Sequence, residues 1–141
     1  MNPVSVSIRF LADTKEIIPQ LVEWAYLQWG SEGVTPEYLI KEYASFARRD
    51  SLPLSLVAWM GIHPVGVVSL KLHEMSIYRD KPHWLGGLLV IPQCRGRGIG
   101  SALVQHALSV ASQLGVRVLY LNTTSHVRFY STAGFEKLEQ I

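Results

Sequence analysis

The protein has 141 residues, just under half of them apolar, and a formal net charge of +2. This length suits one domain, which we expect to span residues 1–141, and so apolar a composition excludes a disordered chain. A net charge this small predicts binding neither to a nucleic acid nor to an anionic membrane surface.

Targeting and metal signals are missing from the sequence. No apolar stretch approaches the roughly 20 residues that a membrane helix requires. The first residues do not combine a basic segment with an apolar one, as a secretion signal would. A single cysteine, Cys94, excludes an internal disulfide, and no pair of residues has the spacing of metal ligands. We therefore expect a cytoplasmic protein with no metal ion.

The first third of the chain predicts one strand and two helices. Residues 5–12 alternate apolar and polar side chains, which indicates a strand. Asp13-Thr14 can cap the amphipathic helix that follows. Thr35-Pro36 then predicts the start of a second helix, because it combines a capping residue with proline at the first helical position.

Strands dominate the middle of the chain. Residues 54–60 and 65–75 predict two strands joined through the turn 61–64. A further strand runs from about 83 to 91 and contains Gly86-Gly87. Two glycines weaken a strand and often mark a bulge or a close approach to the backbone.

The last third predicts a strand between two helices and a terminal strand. Apolar residues recur at helical spacing from Ile99 to Leu114, where Gly115 follows. Residues 116–121 predict a short buried strand, a helix spans about 126–133, and a strand starts near Phe135. A strand, loop, helix and strand in this order form a parallel crossover. The predicted fold class is therefore a mixed α/β sheet, mostly antiparallel, with flanking helices.

The segment 93–100 links a predicted strand to a predicted helix. The first N–H groups of a helix have no partners within it, and the helix dipole leaves partial positive charge there. Glycines at 96, 98 and 100 let a phosphate approach the backbone, and Arg95 and Arg97 add positive charge. The segment therefore predicts a pyrophosphate site.

Two well-known phosphate loops do not fit this segment. A P-loop requires Gly-Lys-Ser/Thr, and the segment has no lysine. The dinucleotide fingerprint requires Gly-x-Gly-x-x-Gly early in the fold and an acidic residue about 20 positions later. Residues 98–121 contain no acidic residue. A glycine-rich turn without a ligand is an alternative, but it leaves both arginines and the helix start unexplained.

Two segments together carry a family resemblance. Val90-x-Pro92-Gln93-x-Arg95-Gly96-x-Gly98-Ile99-Gly100 precedes an amphipathic helix, and Leu119–Thr123 leads to Phe129-Tyr130 and Gly134-Phe135. Both resemble blocks of the GNAT superfamily of N-acetyltransferases, in order and in spacing. With the preceding strands and helices, the resemblance covers nearly the whole chain.

The resemblance implies the acyl-CoA N-acyltransferase fold, with a central pair of parallel, splayed strands. It implies acetyl-CoA as cosubstrate and direct transfer of the acetyl group to a primary amine of a small molecule or peptide. The strand residues expected to offer backbone groups to the pantetheine arm are Leu88, Leu89 and Val90. The residues expected to hold the pyrophosphate are Arg95, Gly96, Arg97, Gly98, Ile99, Gly100 and Ser101.

The catalytic groups follow partly from the resemblance. It places Tyr130 where many members hold the general acid that protonates the departing thiolate, and a phenol of pKa about 10 suits that step. The general base stays open. Glu74 ends an apolar strand face and could take the amine proton through water, or it could simply reach solvent. His83, His126 and water itself are the alternatives.

The sequence also departs from the family pattern. Thr123 and His126 stand where many relatives carry asparagine and alanine, so no asparagine contact to the cofactor is predicted. The sequence ends at Ile141, shortly after Gly134-Phe135, so we expect the family's usual final hairpin strand to be shortened or missing. Either the acceptor site is then open, or another subunit, as in a homodimer, completes the sheet. A second function also stays open, namely a regulatory module that binds acyl-CoA with little turnover.

Overall fold

The computed structural model describes residues 5–75, 77–123 and 125–138. Its sheet has the strand order β1-β2-β3-β4, and neighbouring strands are antiparallel. The strands are β1 (Ser7–Phe10), β2 (Leu54–Met60), β3 (His63–Leu72) and β4 (His83–Val90). The helices are α1 (Ile18–Trp29), α2 (Pro36–Ser45), α3 (Ile99–Gln113) and α4 (Val127–Thr132).

Helices cover both faces of the sheet. Neighbouring side chains on a strand point to opposite faces, and Val67 and Val68 of β3 show the division. Val68 belongs to the apolar cluster that contains Leu103 of α3. Val67 belongs to the second cluster, which contains Leu21 of α1. The predicted arrangement of a largely antiparallel sheet with flanking helices is therefore confirmed.

The two predicted helix starts have different outcomes. Thr35 caps α2 as predicted, because its Oγ1 accepts a hydrogen bond from the Tyr38 backbone N–H at 3.2 Å. The predicted Asp13-Thr14 cap of α1 is wrong. Two short 3-10 helices, Leu11–Asp13 and Lys15–Ile17, separate β1 from α1, and Asp13 pairs instead with Arg49.

The hairpin of β2 and β3 has a shorter turn than predicted, and β3 ends earlier than predicted. His63 and Pro64 belong to β3, so Gly61-Ile62 alone forms the turn. β3 ends at Leu72, because His73 has φ = +50° and an extended strand cannot continue through that conformation. Glu74 therefore lies beyond the strand, and the prediction that it shares a strand face with Leu70 is wrong.

A bulge interrupts β4 at the predicted glycine pair. Ser69 faces Gly86 and Val67 faces Leu89, so two residues of β4 stand opposite one residue of β3. Gly87 has φ = +60°, a backbone conformation that residues other than glycine rarely adopt. The bulge redirects the end of β4, from Leu88 onward.

The strand predicted over residues 116–121 is wrong. Of residues 116–121, Tyr120 alone forms a bridge, and it is parallel to Trp84. This bridge rests on two hydrogen bonds, Leu85 N–H to the Tyr120 carbonyl at 2.8 Å and Tyr120 N–H to the His83 carbonyl at 3.0 Å. These two hydrogen bonds form one bridge and no longer ladder. The predicted pair of parallel, splayed strands is therefore reduced to this bridge. Of the terminal strand predicted from Phe135, residues 135–138 have no regular secondary structure, and the rest lies outside the described residues.

Replacement of Leu103 by alanine tests how strongly α3 is held to the sheet. Leu103 is fully buried, and its Cδ1 fits against Gly66 of β3. Because the truncation leaves a cavity in the larger core cluster, Leu103→Ala is expected to lower the free energy of unfolding by about 3 kcal/mol. Urea denaturation measures this, with Leu27→Ala on the exposed face of α1 as control. Equal losses for both variants would contradict this packing.

Candidate active site

A groove of about 460 Å³ runs between the end of β4 and the start of α3. Helix α4 and one side chain of α1 complete its wall. The residues that line it are Gln28, Leu88, Leu89, Val90, Cys94, Arg95, Gly96, Gly98, Ile99, Gly100, Ser101, His126, Phe129 and Tyr130. Nine of the ten residues predicted to contact the cofactor are in this set, and Arg97 is the exception.

The helix start at one end of the groove has the properties of an anion site. Gly98 is the N-cap residue, with φ = +83° and no side chain to occupy the space. The first hydrogen bond of α3 runs from the Ala102 N–H to the Gly98 carbonyl at 3.0 Å. The N–H groups of residues 99–101 come before that bond and have no partner within the helix. Together with the helix dipole, they favour a negatively charged group there.

Arg95 connects three parts of the groove wall. Its Nε donates to the Val90 carbonyl at 2.8 Å, and its Nη2 donates to Gln28 Oε1 at 3.2 Å. The guanidinium thus joins the end of β4 to α1 while it stays exposed in the groove wall. It contributes positive charge to the groove and also holds the groove's shape.

A second depression lies between α2 and the bulged part of the sheet and has a volume of about 760 Å³. We call it the acceptor cavity, after the acceptor site that the sequence leads us to expect. Four residues line both the groove and this cavity: Gln28, Leu88, His126 and Tyr130. The two spaces therefore meet at these four residues, which we call the junction. At the junction, a molecule bound in the groove can reach a second molecule in the acceptor cavity.

Tyr130 of α4 is half-buried at the junction. Its ring makes edge contacts with Phe129 and Phe135, at centroid distances of 5.0 and 5.9 Å. Its backbone carbonyl accepts a hydrogen bond from the Phe135 N–H at 3.0 Å, which closes the end of α4. Burial raises the pKa of the Tyr130 phenol above its ordinary value of 10.0. The phenol therefore stays protonated at neutral pH and can act as a proton donor.

The candidate bases lie at different distances from the junction. His126 lines it, and its Nδ1 is 2.9 Å from Ser125 Oγ. Glu74 lines the acceptor cavity but not the groove. His83 lines neither, and its backbone carbonyl is used in the bridge to Tyr120.

Lys71 and Glu42 are cavity residues that the sequence did not single out. The Lys71 ammonium lies 3.6 Å from Glu42 Oε1 and 3.5 Å from Glu74 Oε2. Glu42 raises the pKa of Tyr38 above its ordinary value, chiefly through its negative charge. Tyr38 and Glu42 are four residues apart on α2, so the i,i+4 spacing is the one sequence signal that pairs them.

Neither a metal site nor a membrane-spanning helix receives support from the described residues. Within the ranges that the structure describes, no three His, Cys, Asp or Glu side chains lie close enough together to hold a metal ion. The helices among those residues are also too short or too polar to cross a membrane.

Known proteins share sequence features with most of the chain. Residues 18–135 match the family model described as Acetyltransferase (GNAT) family. Peptidyl-lysine N-acetyltransferase YjaB of Escherichia coli is 31% identical over 113 residues, which are 75% of this chain and 69% of YjaB. N-acetyltransferase MJ1207 of Methanocaldococcus jannaschii is 32% identical over 83 residues. That match covers 55% of this chain and only 37% of MJ1207.

Solved structures share the fold over nearly the whole chain. Aminoglycoside N-acetyltransferase AAC(6')-Iy in complex with CoA gives a TM-score of 0.78 at 18% identity, over 99% of this chain and 93% of that chain. A predicted acetyltransferase with acetyl-CoA from Clostridium acetobutylicum gives 0.74 at 17% identity, over 97% and 94%. These likenesses confirm the fold class predicted from the sequence.

The protonation of Tyr130 can be tested by a difference titration. Phenolate absorbance is followed with increasing pH in the wild type and in Tyr130→Phe, and the difference curve reports this phenol alone. Because burial disfavours the phenolate, the difference curve is expected to have its midpoint above that of N-acetyl-tyrosinamide, which titrates near pH 10. A midpoint at or below that of the reference compound would contradict the buried environment.

Proposed function

The chain belongs to the acetyltransferase (GNAT) family, and we propose that it transfers the acetyl group of acetyl-CoA directly to a primary amine. The observation that carries this proposal is the junction, where a groove with an anion site opens into a separate cavity. Direct transfer requires both substrates to be bound together and aligned, and two spaces that meet at one point suit that requirement.

The family match confirms the resemblance predicted from the segment Val90–Gly100 and the block that ends at Gly134-Phe135. Acetyl-CoA is accordingly the cosubstrate, and two solved structures of the same fold hold CoA or acetyl-CoA. YjaB acts on peptidyl-lysine and AAC(6')-Iy on an aminoglycoside, so an amine acceptor is common to both.

The groove suggests how acetyl-CoA is held. The pyrophosphate is placed at the N–H groups of residues 99–101, beside Arg95. The pantetheine arm follows the redirected end of β4, from Leu88 to Val90, where edge-strand backbone groups can bond to its amides. The thioester then reaches the junction. A backbone N–H of the bulged strand can polarise its carbonyl oxygen there.

The transfer step follows from this placement. The amine nitrogen attacks the thioester carbonyl carbon, the new C–N bond forms, and the C–S bond breaks. Tyr130 donates its phenolic proton to the departing sulfur, as its protonated state allows. His126 contributes the imidazole at the junction, so we favour it to accept the proton that the amine loses. Glu74 lies outside the junction and could serve only through intervening water.

Acetyl-CoA binding is tested first by thermal unfolding of the wild type. At about 100 times its dissociation constant, a ligand that binds only the folded state adds about 2.7 kcal/mol to the free energy of unfolding. Acetyl-CoA is expected to raise the melting temperature by several degrees, whereas NAD and ATP at equal concentration leave it unchanged. If saturating acetyl-CoA gives no rise, the proposed use of the groove fails.

Replacement of Tyr130 by phenylalanine separates an enzyme from a binding module. With CoA release measured over a panel of primary amines, Tyr130→Phe is expected to reduce turnover about 100-fold, because the thiolate loses its proton donor. The affinity for acetyl-CoA is expected to stay unchanged. Tyr26→Phe, on the exposed side of α1, is the matched control. A wild type that binds acetyl-CoA but shows no turnover, equal to Tyr130→Phe, would favour the regulatory binding module.

A further inference from the structure

Glu42 is a largely buried carboxylate that takes no part in the proposed transfer step. Its side chain is 19% exposed, and it lines the acceptor cavity from α2. Lys71 of β3 lies 3.6 Å from its Oε1, and the negative charge of Glu42 raises the pKa of the neighbouring Tyr38. A carboxylate so oriented is set to receive a positively charged group.

Charge in the acceptor cavity is unbalanced toward negative. The charged side chains among its described lining residues are three carboxylates, Glu32, Glu42 and Glu74, and one ammonium, Lys71. Lys71 is 17% exposed and lies between Glu42 and Glu74, so it offsets one of the three negative charges. The other titratable side chains among its described lining residues are His126 and the neutral phenols of Tyr38, Tyr43 and Tyr130. The cavity therefore favours a cationic occupant.

The position of Glu42 decides which part of an acceptor it meets. The reacting nitrogen has to lie at the junction, beside Tyr130 and His126. Glu42 lines the acceptor cavity alone and is not among the described residues of the groove. A cation at Glu42 is therefore a different group from the reacting amine.

We propose that Glu42 selects acceptors that carry a second ammonium group, separated from the reacting amine by a carbon spacer. This inference rests on the proposed function, because it takes the junction as the place of transfer. The shared chemistry is a diamine, whether free or presented by a basic peptide or an amino sugar.

The test compares two amines with the same five-carbon chain, 1,5-diaminopentane and 1-aminopentane. Calorimetry measures the binding of each to the CoA-loaded protein. Because one charge-assisted contact distinguishes them, the wild type is expected to bind the diamine about tenfold more tightly. Glu42→Gln is expected to abolish this preference. Glu37→Gln is the matched control, because Glu37 is on the same helix but is exposed and outside the cavity lining.

Salt provides a second measurement that requires no variant. A rise from about 50 mM to about 500 mM NaCl is expected to reduce the wild-type preference for the diamine, since screening weakens charge pairs that are not fully buried. Equal affinities for the two amines, no binding of either, or a preference that survives Glu42→Gln would each overturn the inference. Binding of CoA itself is measured in the same samples. Failure of CoA to bind would overturn the proposed function, whereas CoA binding without diamine preference would overturn only the role of Glu42.

Discussion

The bulge at Gly86-Gly87 is the constraint on which the site depends. It redirects β4 at the level where Leu88 faces both the groove and the acceptor cavity. A Cβ atom at Gly86 would lie 3.3 Å from Cε of Lys71, so the missing side chain leaves room for the lysine stem. Lys71 can then reach Glu42 and Glu74. One backbone irregularity thus shapes the groove and also places the charges of the acceptor cavity.

Helix α3 links the stability of the fold to the geometry of the proposed anion site. Its residues Leu103, Val104 and Ala107 are fully buried against the sheet, so the helix is held rigidly. Its N-terminus consequently presents the N–H groups of residues 99–101 in a fixed direction. A site built on such an element needs little rearrangement when a phosphate binds, because the cost of ordering was met during folding.

The sequence alone determined the features that depend on neighbouring residues. The strand 54–60, the cap at Thr35 and the start of α3 after Gly98 follow from periodicity, capping chemistry and glycine conformation, all of which act within a few residues. The proposal of a phosphate site in the segment 93–100 rests on the same local reasoning, since a helix N-terminus carries its own unpaired N–H groups.

The tertiary structure decided which residues of different strands and helices contact each other. Residues 116–121 have the composition of a strand, yet a strand requires a partner, and Tyr120 alone makes a bridge. Glu74 was predicted on a strand face, but the positive φ of His73 ends β3 before it. The pairing of Lys71 with Glu42 joins residues 29 positions apart, and no local pattern records it. Sequence periodicity specifies which face of an element is apolar, whereas contacts between elements depend on how the whole sheet and its helices pack.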